Sequence, residues 1–361
     1  MPKVLALFFM LIISCGQNAA NPREVTLNHL FPDATLRAVV ASRLGSRADD
    51  TGEALITALA EIDGELDAHR RRRLPRIKNT GGIQYLTGLT SLNLAHNNLT
   101  RLDVTALTNL TGLNVSYNNL TVLDVTALTG LTELAAAWNG LGSVDVSKNI
   151  NLTRLDVSGN DLTNLDITNN TALTHLWAVY NRLCGLDVSH NVHLVHLNLH
   201  VNHLISLDVS PLVNLSELSL SNNRLAQLDV SRNSHLTRLS LARNNLTALN
   251  VTNLSNLALL TVGDNHLTNL NLSNNSHLHE LSVSGNNLVQ LDVSHNPALD
   301  RLFIREGDRL RQSISGLSED THLIHPLERQ RPSLIGYILL ILFSLLFFAV
   351  ILLFILRLRS K

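Results

Sequence analysis

The sequence predicts an α/β solenoid with a helical N-terminal cap, a curved parallel sheet of 21-residue repeats, and a C-terminal transmembrane helix. Three observations predict this architecture. An asparagine returns every 21 residues, ten times, from Asn97 to Asn286. A helix-like segment precedes these repeats at residues 30–45, and a run of 23 uncharged residues follows them at 333–355.

The repeats share the frame LxxLxLxxNxLxxLxV. Its first copy is Leu89, Leu92, Leu94, Asn97, Leu99, Leu102 and Val104. An eleventh copy begins with Leu299, Leu302 and Ile304 and then stops. A period of 20–29 residues with this frame is typical of leucine-rich repeats. The predicted fold class is therefore an α/β leucine-rich repeat solenoid, with the array at residues 83–304 and the parallel sheet on its concave face.

The LxL piece of each repeat predicts a short strand, because alternate side chains of a strand point to opposite faces. Leu92 and Leu94 should point into the core. The asparagine follows where the chain leaves the strand, and its amide can both donate to and accept from the backbone of the turn. We expect a buried structural ladder formed by Asn97, Asn118, Asn139, Asn160, Asn181, Asn202, Asn223, Asn244, Asn265 and Asn286.

A second motif, LDVS or LDVT, follows each asparagine turn and predicts a short second strand on the outer face. Its carboxylates could hold cations, or they could accept hydrogen bonds from nearby amides and the hydroxyl two residues later. Asn250 and Asn271 fill the same column, which favours the hydrogen-bonding interpretation, so no metal site is expected. The acidic members are Asp103, Asp124, Asp145, Asp166, Asp187, Asp208, Asp229 and Asp292.

The segment before the array predicts a helical cap that covers the first leucines. Asp33 suits the N-cap of a helix and Gly45 its C-terminal stop. Residues 51–60 predict a second short helix. The cap and an irregular, basic first coil together occupy residues 22–82. One face of the first helix carries Leu36, Val39 and Val40.

Three segments, FPDATLRAVVASRLG, GGIQYLTGLTSLNL and the repeated LTxLDVS, resemble the cap and array of bacterial internalin-like leucine-rich repeat proteins. The resemblance covers residues 30–304. It implies an exported surface protein that binds partners through its concave face. Where that family has a degenerate first repeat, residues 70–76 carry five arginines. Either a basic loop is inserted there or the first coil is irregular, and we expect a solvated loop rather than a phosphate site.

The N-terminus predicts export. Residues 4–13 form a short apolar run after Lys3, which fits a secretory signal peptide over residues 1–20. The run ends in ISCG, which resembles a bacterial lipobox, so Cys15 is a lipidation candidate. An ordinary signal peptide with a chance cysteine is the alternative.

The C-terminus predicts a membrane anchor. Residues 333–356 are long enough to span a hydrocarbon core of about 30 Å. The basic tail at 357–361 favours the cytoplasmic side. Residues 305–332 are polar and predict a stalk. We therefore expect a single-pass membrane protein whose repeat domain is extracytoplasmic, at the cell surface or in the periplasm.

Composition and motifs argue against catalysis. The net charge is −1, which implies no general affinity for nucleic acid. The sequence contains no phosphate loop, nucleophile elbow or paired-cysteine metal motif. Cys184 is the only cysteine outside the leader, and no matched base is evident. We expect no enzyme activity, no cofactor and no metal.

The aromatic residues predict a ligand-binding surface on the concave face. Four of the six Trp and Tyr residues fall in repeats two to five, and three histidines project from the same side. Small residues around Trp138, namely Ala135, Ala137 and Gly140, could leave a shallow pit. Large rings that the core does not need are typical of interface anchors, although they could also pack on one another. The candidate residues are Tyr117, Trp138, His175, Trp177, Tyr180, His196 and His200.

These observations predict a membrane-anchored, outward-facing protein that binds a protein or glycan through its concave face. The alternative is a structural cell-envelope spacer without a tight ligand. The concave columns differ from repeat to repeat, which favours binding over spacing.

Overall fold

The structure is a computed structural model that describes residues 25–69, 75–305 and 313–324. Several sequence predictions lie outside these residues: the signal peptide with Cys15, the arginines at 70–73, the transmembrane helix at 333–356 and the basic tail. Among the described residues, none of the helices has the length and apolar character needed to span a membrane.

The described part of the cap contains three short α-helices, and the two predicted ones are confirmed. Asp33 caps the longest helix, with Oδ1 accepting from the backbone N–H of Thr35 at 2.9 Å and of Leu36 at 3.1 Å. Gly45 ends it at a φ of 60°, a conformation that suits glycine. The helices are α1 (Leu27–Leu30), α2 (Ala34–Leu44) and α3 (Gly52–Ala60).

The repeats build one parallel sheet, with thirteen strands among the described residues. Neighbouring array strands pair at an offset of 21 residues, as Leu155 does with Leu176. The strands are β1 (Gly64–Asp67), β2 (Leu89–Asn93), β3 (Gly112–Asn114), β4 (Glu133–Ala135), β5 (Arg154–Asp156), β6 (His175–Trp177), β7 (His196–Asn198), β8 (Glu217–Ser219), β9 (Arg238–Ser240), β10 (Leu259–Thr261), β11 (Glu280–Ser282), β13 (Arg301–Phe303) and β15 (His322–Ile324). A separate parallel pair joins β12 (Leu291–Asp292) and β14 (Ile314–Ser315).

The first coil is irregular, which is one of the two alternatives that the sequence left open. β1 pairs with β2, with a register shift between Gly64 and Glu65. Asn97 connects this coil to the array: its Oδ1 accepts from Ile77 N at 2.9 Å and its Nδ2 donates to Ala68 O at 3.0 Å. The coil therefore belongs to the solenoid although its sequence lacks the repeat frame.

The array extends further than predicted at its C-terminal end. The sequence predicts a polar stalk over residues 305–332, but residues 313–324 within it contribute β14 and β15, and Leu323 pairs in register with Leu302. Thr321 Oγ1 also donates to Leu299 O at 3.0 Å. Without this addition β13 would leave a row of unpaired backbone groups at the edge of the sheet.

The asparagine column joins consecutive repeats. Asn181 Oδ1 accepts from Leu162 N at 3.1 Å, and its Nδ2 donates to Val157 O at 3.0 Å and to Val179 O at 3.4 Å. Eight members are buried, and Asn139 and Asn286 are partly buried. One side chain therefore satisfies backbone groups of its own repeat and of the preceding one.

A second buried asparagine column lies on the convex side of the core, and the sequence analysis missed it. Asn191 Nδ2, for example, donates to Ile167 O at 3.0 Å and to Asn170 O at 2.9 Å. Leucine fills the same column in other repeats, as at Leu212 and Leu254. The asparagine members are Asn149, Asn170, Asn191, Asn233, Asn275 and Asn296.

The predicted second strand at the LDVS motif is wrong for most repeats. Among the described residues, this segment pairs at only two places. An isolated bridge joins Asp124 and Asp145, and the short β12 pairs with β14. Instead, each acidic side chain accepts from the backbone two residues later, as Asp166 Oδ1 does from Thr168 N at 3.0 Å and Oγ1 at 2.7 Å. Because these bonds satisfy the backbone locally, the segment turns without a strand partner.

Candidate functional site

Two columns of side chains line the concave face, on either side of the buried leucine of each strand. Neighbouring members are about 4.8 Å apart, the spacing of paired strands. The first column comprises Ser91, Gly112, Glu133, Arg154, His175, His196, Glu217, Arg238, Leu259, Glu280 and Arg301. The second comprises Asn93, Asn114, Ala135, Asp156, Trp177, Asn198, Ser219, Ser240, Thr261, Ser282 and Phe303.

Three rings from β6 and β7 form a concave ring cluster: His175, Trp177 and His196. The centroid of Trp177 lies 5.4 Å from that of His175 and 5.2 Å from that of His196, and the two imidazoles are 5.9 Å apart. All three side chains are half-buried. Adjacent strands place these rings together because parallel pairing in register brings the same columns side by side.

The surroundings of this cluster favour the neutral form of His175. Burial lowers the pKa of His175, and the nearby Arg154 guanidinium and His196 lower it further. His196 Nδ1 lies 3.1 Å from Glu217 Oε2. The cluster therefore joins Trp177 and a His175 imidazole whose neutral form is favoured to His196, which contacts the Glu217 carboxylate.

A second group of rings follows the edge of the sheet where the strands end. We call His96, Tyr117, Trp138, Tyr180 and His200 the edge row. Successive centroids are 4.2, 6.1, 5.7 and 5.8 Å apart. Tyr117, Trp138 and Tyr180 are 47%, 44% and 49% exposed.

Backbone conformation positions four members of the edge row. The residue before each ladder asparagine is left-handed, with φ near 58° at His96 and Tyr117, 55° at Trp138 and 53° at Tyr180. Gly159 fills this column between Trp138 and Tyr180, with φ of 63°. A Cβ at Gly159 would lie 2.6 Å from Trp138 Cδ2. The missing side chain is what lets the Trp138 ring lie over that repeat and contact Tyr180.

The structure divides the seven predicted site residues into two groups. His175, Trp177 and His196 form the concave ring cluster, whereas Tyr117, Trp138, Tyr180 and His200 belong to the edge row. Rings within each group contact one another, while Tyr117, Trp138 and Tyr180 stay exposed and His175, Trp177 and His196 are half-buried. Sequence reasoning missed His96, although its position immediately before Asn97 matches that of Tyr117 before Asn118.

The predicted pit lies beside Trp177 rather than Trp138. Ala137 is only 3% exposed and belongs to the buried interior. Ala135 instead lines a concave cavity of about 340 Å³, which Trp177 closes on one side. We call this space the concave cavity. Its lining is Glu65, Ser91, Leu92, Asn93, Gly112, Leu113, Asn114, Glu133, Leu134, Ala135, Arg154, Asp156 and Trp177.

Comparisons with known proteins agree with this geometry. The leucine-rich repeat family model matches residues 85–141. InlJ from Listeria monocytogenes is 32% identical, the match covers 78% of this chain and 76% of that one, and the TM-score is 0.49. The internalin InlF from the same species is 23% identical, covers 83% and 97%, and gives a TM-score of 0.63. A comparison with functionally curated proteins finds no match.

A third solved structure is the leucine-rich repeat domain of FLRT2 in a complex with latrophilin 3 and Unc5D. It is 22% identical, the match covers 62% of this chain and 75% of that one, and the TM-score is 0.50. At this identity the similarity concerns the fold alone.

The repeat frame, the parallel concave sheet and the asparagine ladder define a leucine-rich repeat protein. Within that class, the chain belongs to the internalin-like leucine-rich repeat family, on the basis of its sequence identity to InlJ and the shared coverage of both chains. The InlJ domain is described as including a cysteine ladder. This chain has two cysteines in total, and its ladders are made of asparagine.

Proposed function

We propose that this protein is a membrane-anchored, outward-facing recognition module that binds a protein or glycan through its concave face. The single observation that carries the proposal is the pair of ring groups on one half of the array. The concave ring cluster and the edge row place eight aromatic and imidazole rings along six neighbouring strands, β2 to β7, and their exits, and three of these rings are nearly half exposed.

The leucine core does not need these rings. Other repeats fill the Trp177 column with Ser219, Ser240 and Thr261 and bury the same leucines. Large aromatic side chains add apolar contact area at low cost in rotamer entropy, and they are enriched where interfaces concentrate their binding energy. A binding role explains why the rings occur together rather than scattered over ten repeats.

Family and topology support the same proposal. Membership in the internalin-like family fits an exported binding protein, and the FLRT2 repeat domain occurs in a complex with other proteins. The predicted signal peptide and the apolar run at 333–356 would place the repeats outside the membrane. The polar columns of the concave face allow a glycan as well as a protein surface.

Protease accessibility tests the topology. Protease added to intact cells should remove the repeat domain and leave a short membrane stub. If the organism has an outer membrane, the same result should follow once that membrane is opened. Protection of the repeats under both conditions would contradict an outward-facing domain.

Partner capture separates a binding protein from a spacer. The tagged full-length chain should cross-link to a specific partner on intact cells or matrix, and the Trp177→Ala and Trp138→Ala variants should lose that product. Equal cross-linking by wild type and both variants, at background level, would support the envelope spacer instead.

A further inference from the structure

The concave cavity combines one aromatic wall with a mixed set of polar groups. Small side chains of Ser91, Gly112 and Ala135 leave the space, and Trp177 lies at its side. Strand pairing places Ala135 beside Asp156 and Asp156 beside Trp177. The aromatic wall on β6 is thus two, three and four strand spacings from Ala135, Gly112 and Ser91, or roughly 10, 14 and 19 Å. A cavity of this length suits a short oligosaccharide or an extended peptide segment rather than one sugar ring.

The amide groups in the cavity are held in fixed orientations. Asn93 Oδ1 accepts from Ala95 N at 3.1 Å, and Asn114 Oδ1 accepts from Ser116 N at 3.0 Å. These bonds engage the Oδ1 atoms of Asn93 and Asn114. Among the described residues, both Nδ2 groups stay available as donors to a ligand. Asp156 Oδ1 accepts from Ser158 N at 3.0 Å, which orients that carboxylate in the same way.

The charge of the cavity restricts its ligand. Three carboxylates, Glu65, Glu133 and Asp156, line it against one guanidinium, Arg154, so three negative charges and one positive give a formal −2. The contact between Arg154 Nε and Glu133 Oε1 is long, at 3.9 Å, between exposed side chains. Phosphates, sulfates and sialic acids would be repelled.

A basic side chain and a neutral sugar remain as candidate ligands, and the balance of hydrogen-bond donors and acceptors distinguishes them. A lysine side chain could stack on Trp177 and meet the carboxylates, but it has only donors and cannot accept from the Nδ2 groups of Asn93 and Asn114. A sugar hydroxyl both donates and accepts, so it can use carboxylates, amides and the guanidinium together. The C–H face of a sugar ring also packs on the electron-rich face of an aromatic ring.

We infer that the concave cavity is a saccharide site that binds a short neutral oligosaccharide with one of its rings against Trp177. This inference rests on the proposed function and names the ligand class for one part of its surface. One ring would pack on Trp177 and donate to Asp156, the next would contact Arg154 and Glu133, and the rings beyond would accept from Asn114 and then Asn93. Preformed pockets with a few placed polar groups bind in this way.

The two tryptophans of the chain, Trp138 and Trp177, provide a site-specific test. Trp138→Phe makes Trp177 the single tryptophan, and Trp177→Phe does the same for Trp138. The full-length chain is purified in a detergent without a sugar headgroup and titrated with oligosaccharides ending in glucose, galactose, mannose or N-acetylglucosamine. At least one neutral sugar should shift the emission of Trp177 saturably, without shifting that of Trp138. Sialylated and sulfated counterparts should bind at least about tenfold more weakly.

A matched pair of variants separates binding from stability. Asn114→Ala and Asn198→Ala remove the same hydrogen bond to the amide two residues later, 3.0 Å and 3.2 Å long, but only Asn114 lines the cavity. Both variants should lose similar stability. In the Trp138→Phe background, Asn114→Ala should weaken the sugar by about tenfold or more, whereas Asn198→Ala should bind as the parent does.

Three outcomes would overturn the inference. No response of Trp177 to any neutral sugar is the first, and an equal response in the Asn114→Ala variant is the second. A response to acetyl-lysinamide alone is the third, because it would assign the cavity to a basic side chain of a protein partner. None of the three removes the proposed recognition function, which is contradicted instead if the rings of both groups prove dispensable for partner capture.

Discussion

The two halves of the array share one interior and expose different surfaces. Strands β3 to β7, the aromatic half, carry most rings of both groups, whereas β8 to β13, the charged half, carry ion pairs. In the charged half Arg301 Nη1 lies 2.9 Å from Glu280 Oε2, and Asp264 lies between Arg243 at 3.5 Å and Arg305 at 2.8 Å. Exposed pairs of this kind contribute about 0–1 kcal/mol each.

The buried layer does not change between the halves. The leucines, the ladder asparagines and the left-handed residue before them recur in both, with φ of 57° at Arg243 and 54° at Asp264. The fold is therefore set by the invariant columns, and the exposed columns can differ without altering it. The following predictions test this separation, beginning with the largest expected effect.

Ladder substitutions should cost the same in both halves. Asn181→Leu keeps the volume but leaves Leu162 N–H and Val157 O without their partners, and Asn265→Leu does the same to Leu246 N–H and Leu241 O. Each unpaired group costs about 1–3 kcal/mol, so thermal melts should fall by about 5–10 °C. A large loss at one site and none at the other would show that the halves are stabilised differently.

The second asparagine column supplies a control of equal volume. Asn191→Leu removes two donors, but its Oδ1 has no protein partner among the described residues, and leucine fills this column elsewhere. Its melting temperature should fall less than that of Asn181→Leu. An equal fall would mean that the loss measured at Asn181 reflects any polar-to-apolar change in the core.

Ring removal should affect binding in the aromatic half only. Trp177→Ala and Trp138→Ala should each weaken partner binding by about 2 kcal/mol or more, the size expected of interface anchors. Thr261→Ala changes the Trp177 column in the charged half and should leave binding unaltered. All three should melt near the wild-type temperature. A large loss of stability with normal binding would identify the rings as packing residues.

Two glycines at the same repeat position distinguish what each half places beside its backbone. Gly159→Ala and Gly285→Ala both force alanine into a left-handed conformation, with φ of 63° and 68°, at a cost of about 1–2 kcal/mol. At Gly159 the new methyl would meet the Trp138 ring, and at Gly285 it would meet the Asp264 carboxylate. Tryptophan fluorescence should therefore change only in Gly159→Ala. Unchanged emission there would mean that the ring does not rest on this glycine.

The smallest expected effect concerns acid. A side-chain hydrogen bond from Ser210, then its backbone N–H, lowers the pKa of Asp208 below the ordinary value of 3.8. The stability that the hydrogen-bonded Asp208 carboxylate contributes is present above its unfolded pKa and is lost as the pH falls through the lower folded pKa. The charged half has Asn250 in this column, with the same bond to Thr252 N at 3.1 Å. Below about pH 4 the melting temperature of Asp208→Asn should fall less steeply with decreasing pH than that of the wild type. The melting temperature of Asn250→Asp should fall more steeply. Parallel pH profiles would contradict the assignment.

The invariant columns could be predicted from the sequence because each member contacts the neighbouring repeats only if it recurs at the repeat spacing. Asn181 and its equivalents recur every 21 residues, so the ladder, the strands and the class of fold followed from the period. The second column escaped notice because Leu212 and Leu254 interrupt it. The tail of the array was missed for a similar reason: His322–Ile324 pairs through its backbone, and backbone pairing needs no repeat consensus.

The candidate site was only partly predictable. That the rings cluster in repeats two to five could be read directly, since column and repeat number give an approximate position. Their division into two groups could not, because Trp138 turns across Gly159 and Trp177 turns toward the cavity. Those directions depend on side-chain torsions and on small neighbours in the next repeats, which a single repeat does not specify.

The ladder bonds also determine how the protein would respond to force. Bonds such as that of Leu183 N to Asn202 Oδ1, 3.0 Å long, join each repeat to the next along the axis of the solenoid. With a partner held by the aromatic half and the predicted anchor at the other end, tension would pass through the charged half. Each repeat contacts only its neighbours, so repeats would detach one at a time. Every detachment would lengthen the tether by roughly 65 Å. The charged half would therefore extend stepwise under load between ligand and membrane.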